Sequence, residues 1–256
     1  MENEIATGID KAIRNREFKV YLQPRFSLTT GKIVGAESLV RWQKEDGTLL
    51  PPDSFIPVYE KNGRIIDLDF YMFEETVKLL AKWKEQGLPQ RLISINASAL
   101  HAQNSDTIHR YTAILEKYGV DPALTELELT ETATVSDYDH VKQLFAKLRT
   151  VGFRTALDDF GAGYSVLNTV IDIPVNTVKV DRAFINNCEI TCKGIYFLRE
   201  IINLLKGLGY HIVCEGVETP EQASILRNTM CDEVQGYWFS PPVPVDEFEK
   251  MLQEGR

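Results

Sequence analysis

The sequence is poor in cysteine, and its cysteines are badly spaced for a framework. Cys188, Cys192, Cys214 and Cys231 form no CxxC pair. That argues against a disulfide scaffold or a redox motif and leaves the cytoplasm as the expected compartment. No stretch approaches the roughly 18 apolar residues of a spanning helix, and the opening MENEIATGIDKAIRN lacks the apolar centre of a signal peptide. Direct membrane insertion is therefore not expected, and any anchoring would fall to another segment of a membrane-anchored parent. Basic charge is also short: 28 Lys+Arg against 37 Asp+Glu give a net charge of -9, which opposes wrapping a DNA or RNA polymer on a cationic surface. An anionic ligand would need a local cationic device. The four histidines, His101, His109, His140 and His211, show no HExxH-like spacing, and no GxGxxG follows a first strand, so the dinucleotide-binding fingerprint is missing. What remains is globular: 44% hydrophobic and 25% charged residues over a 256-residue chain, with 16 Gly and 11 Pro, can bury a sizeable core.

Composition shows only short Pro/Gly punctuation, at Leu50-Pro51-Pro52 and Gly119-Val120-Asp121-Pro122, and no linker, so a single domain over 1–256 is expected. Lys19–Leu22 and Ile33–Ala36 bracket Thr29-Thr30-Gly31-Lys32 and predict an antiparallel hairpin. Beyond it, short β-rich runs alternate with amphipathic segments. Helical spacing is read from Asp67 to Glu85 (with Gly87 as terminator), near Asp106–Tyr118, Tyr138–Val151, Gly194–Leu208 and Pro220–Asn228. Strands are read at Leu92–Ile95, Glu126–Leu129, Phe153–Leu157, Thr177–Val180, His211–Cys214 and Glu233-Val234. About seven or eight such alternations without a linker predict an α/β fold, a (β/α) barrel rather than an open sheet.

The residues closing the predicted strands are polar throughout: Glu37, Asn96, Glu128, Asp158 with Asp159, Lys179 with Asp181, Glu215 and Gln235. In a barrel, the carboxyl ends of parallel strands meet on one face, so these distant residues would share one site. Gathered carboxylates repel one another unless cations neutralise them, and oxygen ligands without clustered His or Cys favour Mg²⁺, Mn²⁺ or Ca²⁺ over zinc. Asp158-Asp159 could serve two ions with one Asp bridging, the arrangement of two-metal phosphoryl chemistry. Taken singly, each motif also has a plainer reading: an Asp-Asp-x-Gly turn, an exposed strand end, a same-face Lys179/Asp181 salt bridge. Their shared phase along the strands is what favours a site. Cys188 and Cys192, one helical turn apart, lack further ligands. The stretch Asp69-Phe70-Tyr71-Met72-Phe73 reads as helix packing, and Asp67 to Glu75 mostly as a helix start and a solvated face.

The motifs Tyr21-Leu22-Gln23-Pro24, Glu37-Ser38-Leu39-Val40-Arg41-Trp42, Phe55-Ile56-Pro57, Ile95-Asn96, Glu128-Leu129-Thr130-Glu131, Asp158-Asp159-Phe160-Gly161, Lys179-Val180-Asp181-Arg182, Glu215-Gly216-Val217-Glu218-Thr219 and Gln235-Gly236-Tyr237 occur in order between about Phe18 and Glu249. Together they resemble the EAL-domain phosphodiesterases, which hydrolyse cyclic di-GMP to linear pGpG in bacterial signalling. The resemblance implies a modified TIM (β/α)8 barrel with one antiparallel strand, and two Mg²⁺ or Mn²⁺ ions, with Ca²⁺ inhibitory. By motif, Glu37, Asn96, Glu128 and Asp158 would hold one ion, and Asp158, Asp159 and Glu215 the other. Glu215 would orient or deprotonate the attacking water, and Lys179 would hold that water or stabilise transition-state charge. Glu131 would steady the loop beginning at Asp158, while Gln23, Leu39, Arg41, Pro57, Asp181 and Gln235 would position substrate. A homodimer and fused sensory or GGDEF domains are further implications, so the sequence is open to being a fragment of a longer signalling protein.

Three positions depart from the family pattern: Ser38 stands where Ala is usual, Ala162 where Thr is common in a loop thought to couple dimerisation to metal binding, and Pro241 where a basic residue is frequent. None removes an expected metal ligand. The alternative to an active hydrolase is a catalytically weak or inactive domain that senses cyclic di-GMP, since degenerate members lose metal or base residues. An unrelated metal-dependent barrel hydrolase would fit the carboxylates without the ordered motifs.

Overall fold

The computed structural model describes residues 2–162, 170–188 and 191–255. The hairpin predicted from the early apolar pair is the entrance to a barrel. Strands β1 (Phe18–Ser27) and β2 (Ile33–Gln43) pair antiparallel with Gln23 opposite Glu37 and Arg25 opposite Gly35. A short β3 (Leu49–Leu50) extends β2 outward. Then β4 (Leu92–Asn96), β5 (Thr125–Thr130), β6 (Arg154–Phe160), β7 (Thr177–Val180), β8 (His211–Cys214) and β9 (Glu233–Val234) join in parallel, each to the one before and β4 to β2. The ring closes where β9 pairs antiparallel with β1, and β10 (Val243–Pro244) adds outside it. The result is an eight-stranded closed barrel in which only β1 runs against its neighbours.

Helices cover the barrel: α1 (Glu2–Arg14), α2 (Ile56–Lys61), α3 (Ile65–Glu85), α4 (Thr107–Tyr118), α5 (Glu131–Ser136), α6 (Tyr138–Thr150), α7 (Arg182–Cys188), α8 (Cys192–Gly207), α9 (Pro220–Leu226) and α10 (Val245–Gln253). Their ends follow local chemistry. Helix α4 stops at Gly119, which adopts the left-handed conformation at the C-cap, and α9 starts with a capping box between Thr219 and Gln222. The main core packs strand side chains such as Leu127, Leu157 and Ile212 against Phe73, Val77, Leu80 and Trp83 of α3 and equivalents on the other helices. A second cluster joins Ile5, Ile9 and Ala12 of α1 to Phe18, Trp42, Phe55, Tyr59 and Leu68.

Five of the described helices escape the periodicity reading: α1, α2, α5, α7 and α10. Helices α2, α5 and α7 span only 6, 6 and 7 residues, too few for a helical repeat to show, whereas α1 does carry the repeat, with Ile5, Ile9 and Ala12 on one buried face. Strand β6 runs to Phe160 rather than Leu157, which places Asp158 and Asp159 on the strand itself. The acidic start of α3 is not wholly solvated. Asp69 is buried, where it accepts hydrogen bonds from Ser98 N and His101 Nε2. Phe70, Met72 and Phe73 are buried helix-packing residues. Among the described residues, no helix is long and apolar enough to cross a membrane. The side chain of Cys188 lies outside the described residues, and Cys192 is an exposed free thiol.

Candidate active site

Alternate residues on a strand point to one side, and here the inward sides are polar. Strands β1, β2, β5 and β7 send Gln23, Glu37, Glu128 and Lys179 inward at the carboxyl-end face, joined there by Gln235 just past β9. The end of β4 adds Asn96, the end of β6 adds Asp158 and Asp159, and Glu215 follows β8. Residues separated by as many as 212 positions thus meet.

Lys179 is the hub. Its Nζ donates to Glu128 Oε2 at 2.7 Å and lies 2.7 Å from Glu215 Oε1, 3.1 Å from Asp158 Oδ1 and 3.3 Å from Glu37 Oε2. Glu37 is held on both oxygens: Asn96 Nδ2 donates to Oε1 at 2.9 Å, and Gln235 Nε2 donates to Oε2 at 2.6 Å. The Asn96 amide, oriented this way, leaves Oδ1 as its prospective metal-ligand atom. Gln235 also donates to Gln23 Oε1, and Gln23 donates to the Ser240 carbonyl. Asp159 has φ 54°, a left-handed conformation for a residue with a side chain, a strain of about 1–3 kcal/mol of the kind concentrated at functional sites. Glu131, buried at the start of α5, accepts the Gly161 N–H at 2.9 Å and fixes the chain just beyond the Asp pair.

One ammonium facing five carboxylates leaves the site electrostatically unbalanced. Burial and the neighbouring acids push Glu128 up to about 8, overcoming the attraction of Lys179. Burial, Asp158 and Asp181 push Asp159 up to about 6. Burial likewise lifts Glu215 well above the ordinary carboxylate range and Asp158 above it. In Glu37, burial is outweighed by Lys179 and by the bonds from Gln235 and Asn96, so its carboxyl is held low. Burial disfavours the Lys179 charge, but the four surrounding carboxylates hold it firmly protonated. Acids raised in this way would be drawn back toward their ionised form by a nearby cation.

Two groups of these acids have ligand atoms within 4.8 Å of one another: Glu37, Glu128 and Asp158, and Asp158, Asp159 and Glu215. Glu128 Oε1 is buried without a hydrogen-bond partner, a cost that a cation would remove. An all-oxygen donor set with Asp158 common to both groups fits paired hard divalent ions. Beside Glu37 and Asn96 opens a cleft of about 690 Å³ whose lining includes Leu39, Ile56, Pro57, Leu68, Met72 and Leu100.

A family model described as EAL domain matches residues 7–242. The chain belongs to that family. It is 36% identical over 244 residues to the signaling protein YkoW of Bacillus subtilis, covering 95% of this chain and 30% of that protein. It is 33% identical over 255 residues to the cyclic di-GMP phosphodiesterase NbdA of Pseudomonas aeruginosa, covering all of this chain and 33% of the relative. Among solved structures, the PaMucR phosphodiesterase in complex with c-di-GMP superposes with a TM-score of 0.88 at 28% identity, covering 96% of this chain and 99% of the other. The chain thus spans about a third of the length of these two curated relatives.

Not every residue that the family pattern implies stands at the acidic nest of this EAL domain. Leu39 and Pro57 line the cleft, whereas Arg41, further along β2, folds over the Tyr21 ring with Nη1 on the Val40 carbonyl. Asp181 Oδ1 accepts the Ala183 N–H at the start of α7 rather than pairing with Lys179, and it adds to the field at Asp159. The Ser38 hydroxyl is 2.8 Å from Thr76 Oγ1 of α3, so the extra polar atom in the signature triplet is satisfied inside the fold. Ala162 donates its N–H to the Asp159 carbonyl, while the loop that continues from it, 163–169, lies outside the described residues. Pro241 is exposed, and its carbonyl accepts from Ser240 Oγ.

Sequence reasoning missed a second polar layer beneath the first. Arg25 Nη1 bonds Glu126 Oε2 at 2.9 Å, Thr177 Oγ1 bonds Glu126 Oε1 at 2.5 Å, and Arg25 Nε lies 3.3 Å from Glu233 Oε2. Each of these residues sits two positions from a residue of the upper layer: Arg25 from Gln23, Glu126 from Glu128, Thr177 from Lys179, Glu233 from Gln235. That spacing was the available signal. The buried role of Asp69 was legible in the same way, since it lies four residues before Phe73 and seven before Thr76 on the inner face of α3.

Proposed function

We propose that this chain is an active, metal-dependent phosphodiesterase that opens cyclic di-GMP to linear pGpG. The observation that supports it is the complete and unbalanced acidic nest around Lys179, with Asp158 shared by two prospective metal groups. Glu37, Asn96, Glu128 and Asp158 would hold one Mg²⁺ or Mn²⁺, and Asp158, Asp159 and Glu215 the second. Bound there, the two ions would supply Lewis acidity and charge neutralisation to a phosphodiester.

The chain's own groups account for the remaining steps. Glu215 accepts the proton of the attacking water at its carboxylate. Lys179 Nζ, 2.7 Å from Glu215 Oε1, orients that water and offsets charge developing on the phosphoryl oxygens. Attack forms the new P–O bond as the P–O3′ bond breaks, and the leaving ribose oxygen takes up a proton. Gln235 and Asn96 keep Glu37 in one orientation, and Glu131 keeps the chain after Asp159 in place. The apolar cleft takes one nucleobase between side chains including Leu39 and Pro57, with Arg41, Asp181, Gln23 and Gln235 shaping the surroundings. Ca²⁺ inhibits, since its larger and looser coordination suits in-line attack poorly.

A second copy is the proposed partner for the exposed apolar stripe Tyr196, Phe197, Leu204 and Leu208 along α8 and its end. Fused sensory or GGDEF segments would account for the greater length of the relatives, and the domain would work in the cytoplasm as one unit over 1–256. A sensor that binds without cutting is the weaker reading, because every metal and base position expected for turnover is occupied by the appropriate residue. Incubation with cyclic di-GMP and Mg²⁺, followed by chromatography, should yield pGpG. Glu37→Ala should reduce the rate by at least about a thousandfold, and Glu215→Gln should bind substrate while losing turnover. Tight binding by the wild type without product would establish the sensor instead.

A further inference from the structure

Strand β6 carries one residue more than β7 where the two pair, and the extra residue falls at the acidic nest. Leu157 pairs with Val178 and Phe160 with Val180, so Asp158 and Asp159 stand together opposite Lys179 alone. Successive residues of a regular strand face opposite sides. A bulge breaks that alternation, and with Asp159 at φ 54° both carboxylates fall in the group that includes Glu215. Such a conformation persists only where its surroundings over-determine it. Three contacts close on the chain directly beyond it. Asp181 N donates to the Phe160 carbonyl at 3.2 Å, Glu131 Oε2 accepts the Gly161 N–H, and the edge of the Phe184 ring lies on Gly161. Gly161 has φ 99°, and a Cβ added there would overlap the ring at Cε2. The Phe184 ring also stacks on Phe160 at 6.2 Å with 9° between the planes, and Phe197 of α8 stacks on Phe184 at 5.8 Å and 11°.

We propose that Phe184 is a positioning residue for the second prospective ion, the one that Asp158, Asp159 and Glu215 would hold. This rests on the two-metal reading above and deepens it. Phe184 sits in the first turn of α7, and its own N–H donates to the Asp181 carbonyl at 3.1 Å, so the ring is tied to the strand end that also holds Phe160. Gly161 is thereby gripped by Glu131 from α5 and by Phe184 from α7. Without the ring, the chain at Phe160 and Gly161 gains room to turn. Asp159 can then relax to an ordinary strand conformation, which carries its carboxylate away from Asp158. The other group draws Glu37, Asn96 and Glu128 from β2, β4 and β5, and these side chains are oriented by Gln235, by one another and by Lys179 instead. Phe184 therefore bears on one ion of the pair and not on the other.

Mn²⁺ binding to the intact metal-free chain, followed by the spin resonance of the free ion, tests this without turnover. Wild type should take up about two ions per chain. Glu37→Gln should leave mainly the second group able to bind, and Glu215→Gln mainly the first. In the Glu37→Gln background, Phe184→Leu should weaken the remaining ion about ten- to a hundredfold, the usual cost of losing a group that orients a ligand. In the Glu215→Gln background it should change nothing. Gly161→Ala disturbs the same contact from the other side with every aromatic ring left in place, and should show the same selectivity. Undiminished affinity for Phe184→Leu in the Glu37→Gln background overturns the positioning role alone. Equal loss in both backgrounds, for Gly161→Ala as well as Phe184→Leu, also overturns it, because the contact would then support the barrel as a whole. Uptake of a single ion by the wild type defeats the two-metal reading, and the positioning role falls with it.

Discussion

At the amino end of the barrel, Arg25 is buried between Glu126 and Glu233, with Thr177 donating to Glu126 and His211 to Glu233 at 2.8 Å. At the carboxyl end, one strand repeat away, Lys179 is equally buried among Glu37, Glu128, Asp158 and Glu215, with Asp159 alongside. Both ends place charge where barrels of this kind carry mostly branched apolar residues. The lower cluster faces its acids with cations of its own, and Arg154 adds a further guanidinium 3.7 Å from Glu126. Glu233 sits below the ordinary carboxylate range despite its burial. In the upper cluster Glu128, Asp158, Asp159 and Glu215 are pushed upward instead, with Glu37 the exception. The difference separates a layer in which guanidinium groups and an imidazole face two acids from one in which a single ammonium faces five. Gly35 marks the boundary: a Cβ there would lie 2.7 Å from the Leu92 carbonyl and 2.9 Å from Arg25 Nη2, so only glycine admits the guanidinium.

If the lower end is self-sufficient, removing its cation should damage the fold itself. Arg25→Met leaves Glu126 and Glu233 in the barrel with weakened compensation. It should cost about 3–5 kcal/mol, read as a lowered urea midpoint with an unchanged slope. A loss under about 1 kcal/mol would mean that Arg154 and His211 suffice and that the two ends differ less than the geometry indicates. The upper end should respond to added metal. With Mn²⁺ at a hundredfold excess over its Kd, mass action predicts about 2.7 kcal/mol of added stability, measured as a rise in melting temperature. Asp158→Asn, which touches both prospective metal groups, should abolish most of that rise. Because the Asp158 carboxyl is disfavoured as an ion in the metal-free fold, the variant should be no less stable than wild type without metal.

The upper cluster was the more legible of the two because its members end strands, where a polar residue interrupts an apolar run. Asp158-Asp159 and Glu215 announce themselves in this way. Arg25, Glu126, Thr177 and Glu233 lie inside strands or at their starts, and nothing local shows that Arg25 and Glu126, 101 positions apart, share a bond. Ring closure carries that information, since it converts a two-residue repeat on separate strands into stacked layers. The closure was itself readable only from the number and order of alternations. The antiparallel β1 came from the family resemblance, although the hairpin that begins it was visible in the sequence. Helices α1 and α10 were legible in the sequence, since Ile5, Ile9 and Ala12 in α1 and Phe248 and Leu252 in α10 fall at helical spacing; the structure adds their partners, among them Trp42 for α1 and Trp83 for α10.

The finest distinction between the two ends is their response to acid. Burial raises Glu233, but the hydrogen bond from His211 and the charge of Arg25 outweigh it and hold its pKa below the 4.5 of the unfolded chain. A carboxylate whose folded pKa is depressed stabilises the fold fully above its unfolded value, and that contribution is lost as pH falls through the folded pKa. Glu233→Gln should therefore be less stable than wild type at pH 7 by about 1 kcal/mol, and the gap should narrow once pH drops below about 4.5. Urea titrations of both proteins at pH 7 and in mild acid would measure it. Glu128 of the upper cluster has the opposite sign: pushed up to about 8, it takes up its proton more readily in the metal-free fold than in the unfolded chain, so its part of the stability declines as pH rises toward 8. A stability gap between wild type and Glu233→Gln that widened in acid would show that Glu233 belongs with the upper carboxylates, and that the lower layer is not neutralised by Arg25 and His211.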